Sequence, residues 1–218
     1  MSRRTIGMSQ ELHDYLLKVS LREPGILERL RKETAELPGA GMQISPEQGQ
    51  FMQLLAELTG ARSYLEVGTF TGYSSLAVAL AMPADAELVC CDVSEDYTAV
   101  ARRYWEEAGV APRVDLRLAP ALESLEALIA EGRRFDLMFV DADKENYADY
   151  FEAGLKLVRP GGLIMIDNVL WGGSVIEAEK QDADTKAIRA LNTALQADER
   201  VTLSLLPLGD GLTLARVR

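Results

Sequence analysis

The chain has 218 residues, 48% apolar and 26% charged, a globular composition long enough for one domain with a central sheet under helices on both faces. Its net charge of -11 opposes a large phosphate-neutralising surface, so nucleic acid is a disfavoured partner. No window is apolar enough to span a bilayer, "MSRRTIGMSQ" lacks the apolar stretch of a secretory signal, and the only cysteines, Cys90 and Cys91, point to opposite faces of a strand; these features read as a reduced, cytoplasmic protein.

Residues 9–58 read as helices, broken at Pro24-Gly25 and by the loop "LPGAGMQISP" at 37–46. They form the helical part, 1–60, of a domain whose core covers 61–218. In that core the β-rich runs "YLEVG", "ELVCCD", "VDLRL", "FDLMFVD" and "GLIMID" alternate with helical stretches such as "SSLAVALAM" and "DYTAVARRYWEEAG". This alternation predicts βαβ units on a mostly parallel sheet covered on both faces. The last 18 residues differ: two strand-like runs flank "LGDG", and Asp210-Gly211 predicts a hairpin with one antiparallel strand.

"YLEVGTFTGYSS", residues 64–75, reads strand, glycine loop, helix, with Gly68 and Gly72 spaced G-x-x-x-G. It is neither the phosphate loop nor the G-x-G-x-x-G dinucleotide fingerprint, which argues against an NAD-dependent oxidoreductase. The glycines allow close backbone approach to a ligand, and the following helix start favours an anionic group. Asp92 ends the next strand and is placed to accept hydrogen bonds from a ribose. An adenosine-bearing ligand fits this combination; so does a tight βα turn with a capping acid.

Two successive strands end in acids, "FDLMFVDADKENY" at Asp141 and "GGLIMIDN" at Asp167-Asn168. A right-handed crossover makes such strands neighbours and brings three side-chain oxygens together beyond their carboxyl ends. An oxygen-only set suits a hard divalent cation, Mg²⁺ first, with Mn²⁺ and Ca²⁺ also compatible. The competing reading is helix capping, to which Asp143 is assigned. Lys144 is either a solvated first-turn residue or a base whose charge the cation discourages.

Taken together, "LEVGTFTGYSSLAVALA", "FVDADKENYADYF" and "DNVLWGGSV" resemble the cation-dependent class I O-methyltransferases of the caffeoyl-CoA and catechol type, along almost the whole chain. The resemblance implies S-adenosylmethionine as cofactor, a seven-stranded Rossmann-like sheet of order 3-2-1-4-5-7-6, and Asp141, Asp167 and Asn168 on the cation. It places Glu66, Gly68, Thr69 and Ser74 around the methionine part of the cofactor, Asp92 on the ribose and Ala121 near the adenine. Met42 would cover the cofactor and Tyr150 would lie near its carboxylate. Lys144 falls where catechol enzymes carry a general base, and Trp171 where a tryptophan packs on the substrate ring. At Ala119 many relatives have glycine. The expected acceptor is a catechol-like or phenylpropanoid small molecule and the expected assembly a homodimer; a hydroxyuridine of transfer RNA is the alternative acceptor.

Overall fold

The computed structural model describes residues 5–218, so the part of the amino-terminal reading that rests on residues 1–4 lies outside it. Helix α1 (Gln10–Ser20) starts where Ser9 Oγ accepts the Leu12 amide, and α3 (Pro46–Thr59) where Ser45 Oγ accepts that of Gln48. Both serines satisfy amides that have no partner within the helix. Between them α2 (Gly25–Thr34) begins directly after Pro24, the break read in the sequence, and Ala40–Met42 forms a single 3₁₀ turn.

The core alternates as expected: β1 (Ser63–Val67), α4 (Tyr73–Ala81), β2 (Glu87–Asp92), α5 (Glu95–Glu107), β3 (Val114–Leu118), α6 (Ala121–Ala130), β4 (Phe135–Val140), α7 (Tyr147–Leu157), β5 (Val158–Ile166), α8 (Ala183–Ala197), β6 (Val201–Leu206) and β7 (Leu212–Val217). The sheet order is β3-β2-β1-β4-β5-β7-β6, with β7 antiparallel to both of its neighbours. Successive strand residues serve opposite faces. Tyr64, Cys90, Leu137 and Phe139 join the core under α2 to α5, whereas Leu65, Cys91, Met138 and Val140 join the core under α6 to α8. Both cysteines are buried and unbridged, as their opposed directions require.

One boundary differs from expectation, because β5 begins at Val158 rather than near Gly162. Val158 pairs with Phe135, and pairing resumes in a shifted register at Leu137 with Leu163. The irregularity accommodates Pro160, which has no amide to donate, and Gly161 at φ +82°. The strand order reverses between β1 and β4, and the crevice of such a sheet opens there, beyond the strand ends.

Candidate active site

The glycine loop follows β1, and the structure gives each glycine a separate reason. Gly68 has φ +90°, and a Cβ there would lie 1.8 Å from the Asp141 carbonyl oxygen, so the glycine is required by the approach of the β4 backbone. Gly72, at φ +83°, would drive a Cβ to 2.6 Å from that of Ala101 on α5. It serves helix packing and does not line the cavity described below. Asp92 clamps the loop: Oδ2 accepts the amides of Thr69 and Phe70 at 2.9 and 2.8 Å, and Oδ1 accepts that of Ser94 at 2.8 Å. Oδ1, which accepts one amide, keeps lone-pair capacity for a hydroxyl donor.

Glu66 lies beneath the cavity floor and is fully buried. The Tyr64 hydroxyl donates to its Oε2 at 2.7 Å, while Oε1 has no hydrogen-bond partner. Burial pushes the carboxyl up to about 7, against the downward pull of the Tyr64, Ser74, Ser75 and Thr69 hydroxyls. Because this value exceeds the ordinary 4.5, the protonated form contributes stability that is full below about pH 4.5 and is lost as pH rises through 7. Glu66→Gln stays neutral and is expected to exceed the parent in stability at pH 8 by about 3 kcal/mol, at 1.36 kcal/mol per pKa unit, and to match it near pH 4. Urea unfolding midpoints of both proteins at the two pH values check this.

The two acid-ended strands finish in register, Val140 opposite Ile166. The ladder continues one residue further, with Asp141 N donating to Val67 O at 2.9 Å and Asp167 N to Val140 O at 3.0 Å. The two aspartates therefore stand side by side at the sheet's lip. Burial, then the charge of Asp141, pushes Asp167 up to about 7. Asp167 Oδ2 accepts from Gln48 Nε2 on α3 at 2.7 Å, and Oδ1 accepts from the Asn168 amide at 2.7 Å. Asn168 adopts φ +57°, a left-handed conformation that asparagine tolerates better than most residues.

Lys144 is not a solvated first-turn residue. It is 8% exposed, its Nζ lies 3.0 Å from Asp141 Oδ1 and 2.6 Å from Tyr147 Oη, and it sits 5.6 Å from the Trp171 ring centroid. Asp143 is also corrected. Its side chain makes no helix-capping bond; it lines the cavity and accepts from the Tyr150 hydroxyl at 2.5 Å and from Asn146 Nδ2.

These groups surround one cavity of about 910 Å³, within the range that holds small ligands. Among the residues singled out from the sequence, Met42, Gly68, Thr69, Ser74, Asp92 and Ala121 lie along its wall, as do Asp141, Lys144, Tyr150, Asp167, Asn168 and Trp171. Ala119 lines it too. Glu66 and Gly72 do not. Sequence reasoning missed Gln48, Tyr147 and the cavity-facing role of Asp143. Gln48 carried no signal, since its partner Asp167 is 119 positions away. Tyr147, three residues after Lys144, is a first-turn neighbour that helical spacing could have flagged.

The donor set fits a hard cation. Among the described residues no three His, Cys, Asp or Glu side chains cluster as a metal site; the set is two carboxylates and an amide. Asp167 is raised first by burial and then by repulsion from the neighbouring Asp141 carboxylate. Among the described residues, Lys144 is the single basic side chain on the cavity wall.

The sheet order and the cavity beyond its strand ends define a Rossmann-like methyltransferase. The crystal structure of an O-methyltransferase from Bacillus cereus in complex with SAH has a TM-score of 0.85 to this chain at 35% identity, covering 95% of this chain and 97% of that one. The chain belongs to the O-methyltransferase family, whose model matches residues 17–218. It is 42% identical to caffeoyl-CoA O-methyltransferase 2 of Zea mays, over 99% of this chain and 86% of that protein. It is 44% identical to the catechol O-methyltransferase domain-containing protein 1 of Mus musculus, over 94% and 79% respectively.

Proposed function

We propose that the protein methylates one hydroxyl of a dihydroxyphenol, using S-adenosylmethionine and a divalent cation held by Asp141, Asp167 and Asn168. The observation that carries this reading is the pair of acid-ended strands meeting beside Lys144 in the cavity that the glycine loop also borders. When bound, the cofactor supplies the methyl group and the cation supplies positive charge that favours an ionised phenol. The chain's own residues do the rest. Thr69, Ser74 and Asp92 would hold the cofactor in the cavity that Met42 and Ala121 also line. Trp171 gives the phenol ring a flat wall. As a neutral amine, Lys144 would donate N–H to Asp141 and Tyr147 and take the hydroxyl proton on its remaining Nζ lone pair. Catalysis then comes chiefly from orientation and electrostatics.

The cavity wall supports an acceptor without phosphates. Among the described residues, Asp92, Asp141, Asp143, Asp167, Asp184 and Asp210 line the cavity with one paired lysine. Free phenols are favoured over polyanionic thioesters or RNA, both of which bring phosphates that need cations. Purified protein with labelled S-adenosylmethionine and a panel of catechols, flavonoids and phenolic thioesters, assayed with EDTA or Mg²⁺, tests the reading. Turnover of free catechols only with Mg²⁺ is expected. Equal turnover in EDTA would remove the cation, and preference for the thioester would overturn the charge argument.

A further inference from the structure

Asp167 is 2% exposed, and the protein engages both of its carboxylate oxygens. Oδ1 accepts the Asn168 amide at 2.7 Å, and Oδ2 accepts Nε2 of Gln48 at 2.7 Å. One N–H on each oxygen fixes the plane of the carboxylate, and each oxygen keeps lone-pair capacity for a further partner. The first donor is the backbone of the next residue. The second is a side chain on α3, which no strand places. Gln48 is itself confined: it is 1% exposed, and its backbone amide donates to Ser45 Oγ at 3.4 Å in the first turn of α3. At Gly49 a Cβ would lie 2.8 Å from Tyr73 Cε1, so this turn is pressed against α4. A Cβ at Gly209, in the turn between β6 and β7, would lie 2.6 Å from Gln48 Oε1. The carboxamide therefore sits between α3 and the last hairpin, with little room to rotate.

We propose that Gln48 is a positioning residue for the divalent cation: its carboxamide fixes the Asp167 carboxylate beside Asp141, so that the oxygen set is formed before a cation arrives. The inference rests on the cation reading of this site. A neutral donor suits the task, because it orients Asp167 without offsetting the negative charge that attracts a cation. A cationic donor, as Lys144 is to Asp141, offsets part of that charge. Partners of this kind commonly contribute about 10- to 100-fold to the affinity of a metal site.

The test measures Mn²⁺ binding by electron paramagnetic resonance and SAH binding by calorimetry in the parent, Gln48→Met, Gln48→Asn and Asp167→Asn. Gln48→Met keeps the length of the side chain and removes its donor. Gln48→Asn keeps the carboxamide one methylene short of Asp167, and it serves if the methionine variant does not fold. Each is expected to bind Mn²⁺ about tenfold or more weakly than the parent, with SAH affinity held within about twofold. A glutamine that served the fold alone would lower both affinities together or neither. Parental Mn²⁺ affinity in the folded Gln48 variants, or an equal loss of Mn²⁺ and SAH affinity, overturns the role of Gln48; the cation reading stands if Asp167→Asn releases the Mn²⁺. A parent that binds no Mn²⁺, or binding that Asp167→Asn leaves unchanged, overturns the cation reading and this inference with it.

Discussion

Asp141→Asn is expected to lower kcat/KM for a catechol by about a thousandfold or more, because several kcal/mol of transition-state charge stabilisation are at stake and each 1.36 kcal/mol is tenfold. The substitution keeps the shape of the side chain and removes its charge. Two roles end together: one carboxylate of the proposed cation set, and the partner that holds Lys144 Nζ at 3.0 Å. Tyr147 Oη, 2.6 Å from the same nitrogen, remains to keep the lysine in place, so the fold should persist. Circular dichroism and the affinity for SAH are the controls, and both should change little, since Thr69, Ser74 and Asp92 are untouched. Activity should also stop responding to added Mg²⁺. A variant that still turned over at the parental rate and still responded to Mg²⁺ would take Asp141 out of the cation site.

Gly68→Ala is expected to cost about 4 kcal/mol of folding stability, the sum of a strained left-handed backbone and overpacking against a neighbour that cannot move aside. The obstacle is backbone: the added Cβ would fall 1.8 Å from the Asp141 carbonyl oxygen and 3.3 Å from Ala142 Cα. Relief requires β1 and β4 to separate at the point where Asp141 N donates to Val67 O. Gly132→Ala separates the two contributions, because Gly132 has φ +70° and nothing within 4 Å of its notional Cβ. That variant should lose only about 1 kcal/mol from its backbone conformation. Urea denaturation of the three proteins reads both losses. Equal losses at the two glycines would show that the approach of β4 is not what requires Gly68.

The alternation of apolar runs with helical stretches led directly to the parallel sheet, and Asp210-Gly211 to its final hairpin, because periodicity and turn chemistry are local properties of the chain. The acids at the strand ends were readable for the same reason: a carboxylate that stops an apolar run stands at the rim of a sheet. The helix break at Pro24 also follows from nearest neighbours. The beginning of β5 did not, since the register shift that carries Val158 back to Phe135 depends on the facing strand.

What the amino-acid order settled unaided was the architecture and the chemical character of the site, an acid-rich lip beside a glycine loop. Tertiary packing alone decided the rest. It buried Glu66 beneath the floor, turned Gly72 towards α5, faced Asp143 into the cavity and tied Lys144 to Asp141 and Tyr147. It also joined Gln48 to Asp167 and Arg189 to four carbonyls. The physical reason is one of range: a hydrogen bond needs about 3 Å of proximity, and only the closed sheet supplies that between residues far apart in the chain.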